Sequence, residues 1–251
     1  MTIFYFTATG NSLAVAKQIG GNLISIPQVI DSDTTHYKDD AIGIVFPVFF
    51  HREPRMVRRF LNQVKLEADY IFAVATYGGT HGITMARLQE RAKRNGFQFD
   101  YTNYLMTVDN YLPLFEMGTQ IEKQPKKKVE EHTAKIVDDI QSRKRSIVAE
   151  GFVNYLIAPF VPPFLPKENT AKTFLVNSQC NKCGICPKVC PAKNISLHDN
   201  VQFADHCEVC LACAHLCPQN AIHLKKQKSD KRWKNPEVSL GEIVAANNRV
   251  E

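Results

Sequence analysis

The eight cysteines are the most constraining feature of this chain, because all of them lie between positions 180 and 217 and repeat one spacing twice. The first run is Cys180, Cys183, Cys186 and Cys190, with two, two and three residues between neighbours and a proline after the last. The second run is Cys207, Cys210, Cys213 and Cys217, which repeats this pattern 27 residues later. The chain therefore carries a duplicated thiol-rich unit rather than scattered structural cysteines.

This spacing is typical of proteins that hold two 4Fe–4S clusters by cysteine thiolates. Three thiolates spaced by two residues surround one cubane, whereas the fourth is displaced too far round the turn and binds the neighbouring cluster. We therefore assign the first cluster to Cys180, Cys183, Cys186 and Cys217, and the second to Cys207, Cys210, Cys213 and Cys190. The same offset aligns Ile195 with Ile222, which predicts an aliphatic residue packed over each cluster.

Two other uses of clustered cysteines fit this pattern less well. A zinc ribbon needs a longer spacer between two Cys pairs than these short runs supply. A disulfide framework suits a secreted mini-protein, but Met1–Phe6 lacks the basic region and the long apolar core of a signal peptide. The residues therefore favour iron–sulfur ligation and a reducing, cytoplasmic setting.

The residues ahead of the cysteines alternate short apolar runs with amphipathic ones, a pattern typical of a parallel sheet covered by helices. The predicted strands are Ile3–Phe6, Ala41–Phe46, Tyr70–Ala75, one within Phe97–Val108, and a short one over Asn22–Ile26. The predicted helices are Ser12–Ile19, Glu53–Val64, Ile83–Arg94 and Lys126–Ile140. We expect an α/β domain with a doubly wound parallel five-stranded sheet, followed by a small α+β domain.

The turn after the first predicted strand has the composition of a phosphate site. Thr7, Thr9 and Ser12 supply hydroxyls, and Gly10 permits a tight turn into the next helix. The N–H groups at a helix N-terminus bind a phosphate monoester without requiring lysine. Taken by itself, the segment also fits an ordinary polar turn capped by Asn11 or Ser12.

This strand, turn and helix resemble the phosphate loop of flavodoxins, which bind FMN. Two later loops, Pro47–His51 and Thr76–Gly82, follow strands where that family holds the flavin ring. Aromatic residues in the first loop can stack on the ring, and glycines in the second admit backbone amides to its edge. The resemblance implies FMN contacts from Thr7, Ala8, Thr9, Gly10, Asn11, Ser12, Pro47, Val48, Phe49, Phe50, Thr76, Tyr77, Gly78, Gly79, Asn110 and Tyr111.

Together with the cysteines, the chain resembles a flavodoxin–ferredoxin fusion protein. The resemblance implies a flavodoxin-like FMN domain over residues 1–150 and a ferredoxin-like domain with two 4Fe–4S clusters over 171–226. Between them, residues 151–170 form a proline-rich apolar connector, and residues 227–251 form a basic C-terminal tail. The uncharged stretch Phe152–Pro166 is too short to span a bilayer; we expect it to pack between the domains, with an interfacial membrane contact as the alternative.

These assignments predict an electron-transfer protein that uses FMN and two 4Fe–4S clusters to connect two-electron and one-electron redox partners. A flavin-dependent reductase acting on a small substrate or NAD(P)H is the alternative, although a Gly-x-Gly-x-x-Gly turn is absent. A redox sensor that docks a partner through Arg232–Pro236 is a third interpretation. No catalytic residue is predicted, because every cysteine is assigned to a cluster and no Ser/His/Asp set can be argued.

The remaining charged and aromatic residues indicate partners only broadly. The formal charge of +6 suits an acidic redox partner such as a ferredoxin or flavoprotein, and lysines that only solvate the surface explain it slightly better. No basic run is interleaved with aromatics, so we expect no nucleic-acid partner, and a homodimer stays open. We expect Lys126–Lys128 to be a solvated helix start, and His51 and His81 to be loop histidines rather than ring contacts.

Overall fold

The computed structural model describes residues 1–158 and 170–248. The strands are β1 (Thr2–Tyr5), β2 (Asn22–Ser25), β3 (His36–Lys38), β4 (Ala41–Pro47), β5 (Lys65–Glu67), β6 (Tyr70–Tyr77), β7 (Tyr101–Met106), β8 (Ser146–Ile147), β9 (Phe174–Val176), β10 (Ile195–Leu197), β11 (Val201–Phe203) and β12 (Ile222–Leu224). The helices are α1 (Asn11–Ile19), α2 (Ile26–Val29), α3 (Arg55–Gln63), α4 (Thr84–Arg94), α5 (Met117–Glu122), α6 (Val129–Gln141), α7 (Phe152–Ile157), α8 (Ile185–Lys188), α9 (Ala212–His215) and α10 (Leu240–Asn247). Short 3-10 helices cover Gln124–Lys127 and Thr170–Thr173.

The main sheet has the order β2-β1-β4-β6-β7-β8, and each pair of neighbouring strands is parallel. Numbered within this sheet, the first five strands follow the order 2-1-3-4-5, which is that of flavodoxin-like doubly wound folds. The expectation of five strands is wrong by one, because Ser146–Ile147 pairs with Tyr101–Thr102 at the edge. A strand of two residues is too short to show an alternating pattern in the sequence.

Helices cover both faces of this sheet, as the alternating apolar runs predict. Ile3 and Tyr5 of β1 belong to a core shared with α1 and α6, whereas Phe4 and Phe6 belong to a second core shared with α3 and α4. Successive residues of a strand point to opposite faces, so one apolar run supplies both cores. The sheet is therefore buried on both sides, and only its edges and strand ends remain for ligands.

The predicted helices and strands lie within two residues of their expected bounds, except at the start of α6. This helix begins at Val129 rather than Lys126, because Gln124–Lys127 forms a 3-10 turn and Lys128 has a left-handed backbone with φ of 47°. Pro125 cannot donate a backbone hydrogen bond and favours such a first turn. The lysines are therefore held in a turn ahead of the helix.

The cysteine module (residues 170–226) is built from two similar halves. β9 pairs with β12 and β10 with β11, both antiparallel, and each half carries one short helix, α8 or α9. Left-handed residues recur at the offset of 27: Lys182, Gly184 and Lys193 in the first half, and Val209, Leu211 and Asn220 in the second. The duplication seen in the cysteine spacing is thus also a duplication of backbone conformation.

The predicted basic tail packs against both preceding units over its described residues. Within residues 229–248, here called the C-terminal clasp, Trp233, Val238, Ile243 and Ala246 are buried. Its helix α10 starts with a capping box in which Ser239 and Glu242 bond reciprocally. The apolar side chains explain why this charged segment does not remain in solvent.

The predicted connector, residues 151–170, lies largely outside the described residues. Its described part includes α7, on which Phe152, Val153, Tyr155 and Leu156 are exposed. Over residues 1–158 and 170–248, none of the helices has the length and apolar character needed to cross a bilayer.

Candidate functional site

A cavity opens at the carboxyl edge of the main sheet, which is the edge where doubly wound folds bind ligands. This sheet-edge cavity is enclosed by the loops that follow β1, β4, β6 and β7. Every residue predicted to contact FMN lines it except Gly10: Thr7, Ala8, Thr9, Asn11, Ser12, Pro47, Val48, Phe49, Phe50, Thr76, Tyr77, Gly78, Gly79, Asn110 and Tyr111. The topology thus brings four separate segments to one site.

The turn after β1 presents one hydroxyl that has no partner in the described residues. The Thr9 hydroxyl accepts a hydrogen bond from Asn110 at 2.7 Å, and the Ser12 hydroxyl lies 2.9 Å from that of Thr76. Thr7 Oγ1 is buried and unpaired. A buried unpaired hydroxyl is costly, so a ligand oxygen at the start of α1 suits this position. The site fits the phosphate of FMN.

The loops after β6 and β7 meet at a glycine. A Cβ on Gly78 would lie 2.3 Å from Cβ of Asp109, so only glycine fits there. Burial raises the pKa of the Asp109 carboxyl, while the N–H of Tyr111 and the charge of Lys127 act in the opposite direction. Gly78 therefore allows the loop after β6 to approach the backbone of Asp109 closely, which a residue with a Cβ would prevent.

Lys127 is the residue that sequence reasoning misplaced. Its ammonium group donates to the carbonyl of Gly78 at 3.1 Å and also to the carbonyl of Thr107. The expectation of a solvated helix start is wrong for this lysine, because the 3-10 turn directs its side chain to the loops that follow β6 and β7. No local sequence signal distinguishes it from its neighbours Lys126 and Lys128.

The loop after β4 holds two aromatic side chains against the cavity at a conformational cost. Phe49 and Arg52 exchange two backbone hydrogen bonds around Phe50 and His51, whose φ angles are 51° and 61°. Such turns favour Asn-Gly, and left-handed backbone costs other residues about 1–2 kcal/mol each. The Phe50 and Tyr111 rings meet edge to face, with centroids 5.1 Å apart. The strained turn therefore builds an aromatic wall.

The two histidines of these loops have different surroundings. His51 lines the cavity, and its pKa is lowered by burial and by the nearby charges of Arg87 and His81. His81 instead stacks on Tyr104 with centroids 3.9 Å apart, beside the buried carboxylate of Glu150 at 3.3 Å. Of the two, His51 is the one positioned to contact a bound molecule.

The cysteines line two further cavities in the crossed arrangement that the spacing predicts. The first cysteine cavity is lined by Cys180, Cys183, Cys186 and Cys217, with Ile222 beside them. The second cysteine cavity is lined by Cys190, Cys207, Cys210 and Cys213, with Ile195 beside them. All eight cysteines are free thiols. The fourth cysteine of each run thus faces the three cysteines of the other run.

The surroundings of the thiols suit a positively charged occupant. Burial raises the pKa of Cys186 to about 12 and raises the pKa values of Cys190, Cys210 and Cys213. Buried thiolates therefore need a metal charge nearby to remain ionised. In the described residues, no three His, Cys, Asp or Glu side chains lie close enough together to hold a single metal ion. A 4Fe–4S cluster does not require such a group, because each thiolate binds its own iron. The thiol sets fit such clusters.

The sheet-edge cavity and the second cysteine cavity share a wall. Cys210 and Leu211 line both cavities, and Val209 lines the sheet-edge cavity beside them. These three residues were not among those predicted from the sequence to line the sheet-edge cavity. The available signal was the repeat itself, since Val209 and Leu211 stand where the first half has Lys182 and Gly184.

A polar contact holds this wall against the α/β domain. The guanidinium of Arg55 donates to the carbonyl of Cys207. The carboxyl of Glu208 faces the first N–H groups of α3, those of Arg55 and Met56. Burial raises the pKa of Glu208, while the charge of Arg55 and these N–H groups act in the opposite direction. A residue between two cysteines therefore caps a helix of the neighbouring domain.

Comparisons with known proteins give short or weak likenesses. The chain is 34% identical over 59 residues to the pyruvate synthase subunit PorD of Methanothermobacter marburgensis, covering 24% of this chain and 72% of that subunit. No family model matches the chain.

Two solved structures share limited similarity with the chain. A candidate flavoprotein of Bacteroides uniformis has 19% identity and a TM-score of 0.34, covering 42% of this chain and 89% of that one. The two-electron-reduced flavodoxin of Megasphaera elsdenii has 21% identity and a TM-score of 0.31, covering 41% and 83%. Likenesses at this level do not define the fold, which rests on the strand order above.

Proposed function

We propose that this chain, which over 59 of its residues belongs to the family of the pyruvate synthase subunit PorD, is an electron-transfer protein with one FMN and two 4Fe–4S clusters. The proposal rests on this relationship and on the three cavities. The observation that carries the proposal is the shared wall, in which Cys210 and Leu211 line both the sheet-edge cavity and the second cysteine cavity. A thiolate ligand of one redox group would thus also border the other.

In this proposal each cavity has a defined occupant. The turn over Thr7–Ser12 binds the FMN phosphate, with the unpaired Thr7 hydroxyl as one donor. Phe50 and Tyr111 border the ring, and Gly78 lets the loops after β6 and β7 close beneath it. The first and second cysteine cavities hold one 4Fe–4S cluster each, with the crossed ligand sets given above.

When bound, FMN supplies two-electron chemistry and each cluster supplies a one-electron centre. The protein's own part is placement. Val209, Cys210 and Leu211 bring the second ligand set to the sheet-edge cavity, while the crossed cysteines place the first set directly behind it. Backbone N–H groups of Asn194 and Ala221 each donate to a cysteine sulfur at 3.3 Å, contacts that tune cluster potentials.

The first ligand set faces solvent and would serve an external partner. Cys183 is exposed, whereas Cys186 beside it is buried. Lys182 is exposed next to it, so a one-electron partner with acidic groups could approach this side. We therefore propose the order sheet-edge cavity, second cysteine cavity, first cysteine cavity, partner.

Anaerobic reconstitution with FMN, iron and sulfide tests the proposal. We expect about one FMN and about eight irons per chain, and photoreduction of the flavin should then bleach the cluster absorbance. Protein that binds neither cofactor, or whose clusters stay oxidised beside reduced flavin in the presence of a low-potential reductant, would contradict it.

A reductase acting directly at the flavin is the second candidate function, and His51 favours it. A left-handed turn places this histidine at the cavity at a conformational cost, and burial lowers its pKa, which favours the neutral form. A neutral imidazole at this position suits hydrogen bonding to a substrate. Steady NAD(P)H or substrate turnover by the native protein would support this candidate, and a lower rate in His51→Ala would assign His51 a part in it. Unchanged turnover in His51→Ala would remove His51 from the reaction, and no turnover in the native protein would remove the candidate.

A further inference from the structure

A closed circuit of hydrogen bonds joins the predicted phosphate loop to the helix between the two cysteine sets. The Asn110 side-chain amide donates to Thr9 Oγ1 at 2.7 Å, and the backbone carbonyl of Asn110 accepts from His215 Nε2 at 2.7 Å. His215 accepts from the backbone N–H of Trp233 at 3.1 Å. The indole N–H of Trp233 donates to Asn11 Oδ1 at 3.2 Å, two residues from Thr9. Four segments far apart in sequence thus meet in one ring of contacts.

His215 is the central member of this circuit and has no freedom to change partners. It is buried on α9, between Cys213 and Cys217, which face different cysteine cavities. The N–H of Trp233 can only donate, so Nδ1 accepts and Nε2 carries the proton that reaches the carbonyl of Asn110. The hydrogen-bond pattern therefore fixes one neutral tautomer and one ring orientation.

The clasp covers the outer side of the phosphate loop. Asn235 donates from its backbone to the carbonyl of Thr9 at 2.8 Å and from its side chain to Asn11 at 3.2 Å. A Cβ on Gly10 would lie 2.9 Å from Cβ of Asn235 and 3.1 Å from Cβ of Val238. This explains why Gly10 does not line the cavity: its outer face is filled by the clasp.

Asn11 is consequently held on three sides by protein. Its Oδ1 accepts from both Trp233 and Asn235, and its Nδ2 donates to the Thr107 hydroxyl at 3.3 Å. The side chain is thus oriented before any ligand arrives. In a loop that binds phosphate largely through backbone N–H groups, fixing the residue that opens α1 fixes those donors.

We propose that the C-terminal clasp is an integral part of the flavin site, with Trp233 as the positioning residue that couples FMN binding to docking of the cysteine module. The inference rests on the proposed function, because it takes FMN as the ligand. Coupling between two binding events is reciprocal. Clasp contacts should therefore tighten FMN binding, and FMN should in turn protect the clasp.

The first test is FMN affinity of cluster-loaded protein, measured by quenching of flavin fluorescence. Trp233→Phe keeps the packing and removes one donor to Asn11; Asn235→Ala removes the second donor. We expect each to raise the Kd about five- to tenfold, the effect of one lost hydrogen bond. Adding Trp233→Phe to Asn11→Ala should cause no further loss, because the acceptor is already gone.

Glu237→Gln is the matched control. It lies in the same clasp, but its side chain contacts exposed Gln18 at 3.0 Å, away from the loop, so its Kd should equal that of the native protein. If Trp233→Phe and Asn235→Ala also bind FMN with native affinity, the coupling is wrong.

The reciprocal test follows amide hydrogen exchange over residues 229–248 with and without FMN. We expect FMN to slow exchange in the native clasp and to slow it less in Trp233→Phe. Exchange that FMN leaves unchanged would overturn the inference while leaving the proposed function intact. Native protein that binds no FMN would overturn both.

Discussion

The two halves of the cysteine module share a backbone but face different surroundings. Both have left-handed residues at matching positions and an N–H that donates to the fourth cysteine sulfur at 3.3 Å. In the first half the left-handed pair is Lys182 and Gly184, around exposed Cys183. In the second half it is Val209 and Leu211, around Cys210, and these residues wall the sheet-edge cavity.

This difference teaches how a duplicated unit acquires an inside and an outside. Left-handed backbone costs Val209 and Leu211 about 1–2 kcal/mol each, whereas Gly184 bears no such cost. Burial offsets it, because Leu211 is only 3% exposed and a buried leucine contributes about 2 kcal/mol. Apolar side chains at left-handed positions therefore place the second half against the sheet-edge cavity, whereas a lysine and a glycine at the matching positions leave the first half facing solvent.

The largest expected effect comes from removing one cysteine from each half. Cys210→Ala should lose the second cluster, about four of about eight irons, and with it electron transfer from flavin to the remaining cluster. Cys183→Ala should lose the first cluster but keep rapid electron transfer from the flavin to the second cluster. Flash photoreduction with iron analysis measures both. Electron transfer from the flavin to the first cluster at the native rate in Cys210→Ala would contradict the placement of the second cluster between them.

Exchanging the left-handed residues tests why the halves differ. Leu211→Gly relieves backbone strain but opens a cavity, and we expect a net loss of about 2 kcal/mol in stability. Gly184→Ala adds mainly backbone strain, since the nearest atom to its Cβ, in Leu197, lies 4.0 Å away, and should cost about 1 kcal/mol. Urea midpoints give both values; equal losses would show that burial does not set the asymmetry.

The second half of the cysteine module borders the sheet-edge cavity, so FMN binding beside it should depend on the shape of that cavity. Gly78→Ala forces a methyl group against Asp109, so the loops after β6 and β7 must separate. We expect FMN affinity to fall about tenfold, equivalent to about 1.4 kcal/mol, with iron content unchanged. Gly151→Ala is the control, because it lies outside the cavity lining and its Cβ meets no atom nearer than Asn154 Nδ2 at 3.8 Å. Equal affinities in the two variants would argue against a ring at Gly78.

The smallest expected effect on stability concerns α10, which packs against the first half of the cysteine module. Lys17 of α1 bonds Glu242 of α10 at 2.6 Å. This contact, followed by the bonds from Ser239, lowers the pKa of Glu242 from 4.5 to about 2. A lowered carboxyl pKa stabilises above about pH 4.5, and this contribution disappears as the pH falls toward 2.

Lys17→Met should therefore cost less than about 1 kcal/mol at pH 7, because the pair is exposed. The difference from the native urea midpoint should shrink below pH 4.5. A difference that is constant down to pH 3 would assign the loss to packing instead.

The features that the sequence predicted are those with short, local patterns. Cysteine spacing identified both thiol sets, because ligand geometry restricts the separation of cysteines in the chain. The Thr7–Ser12 turn was recognisable since hydroxyls, a glycine and a helix start occur together. The long strands β4 and β6 show uninterrupted apolar runs, as buried parallel strands do.

The features that the sequence did not predict depend on contacts between distant segments. Trp233 and Asn11 are 222 residues apart, and His215 and Asn110 are 105 apart. Lys127 has the same local composition as its neighbours, and only the direction of the 3-10 turn brings its side chain to the loops after β6 and β7. Such contacts follow from tertiary packing, which residue periodicity does not encode.

The most direct test of the account is an anaerobic crystal structure of the FMN-loaded protein with iron located by anomalous scattering. We predict the flavin ring in the sheet-edge cavity, against Val209 and Leu211, with the nearer irons bound by Cys190, Cys207, Cys210 and Cys213. A ring bound elsewhere, or one lying nearer to the irons of Cys180, Cys183, Cys186 and Cys217, would contradict it.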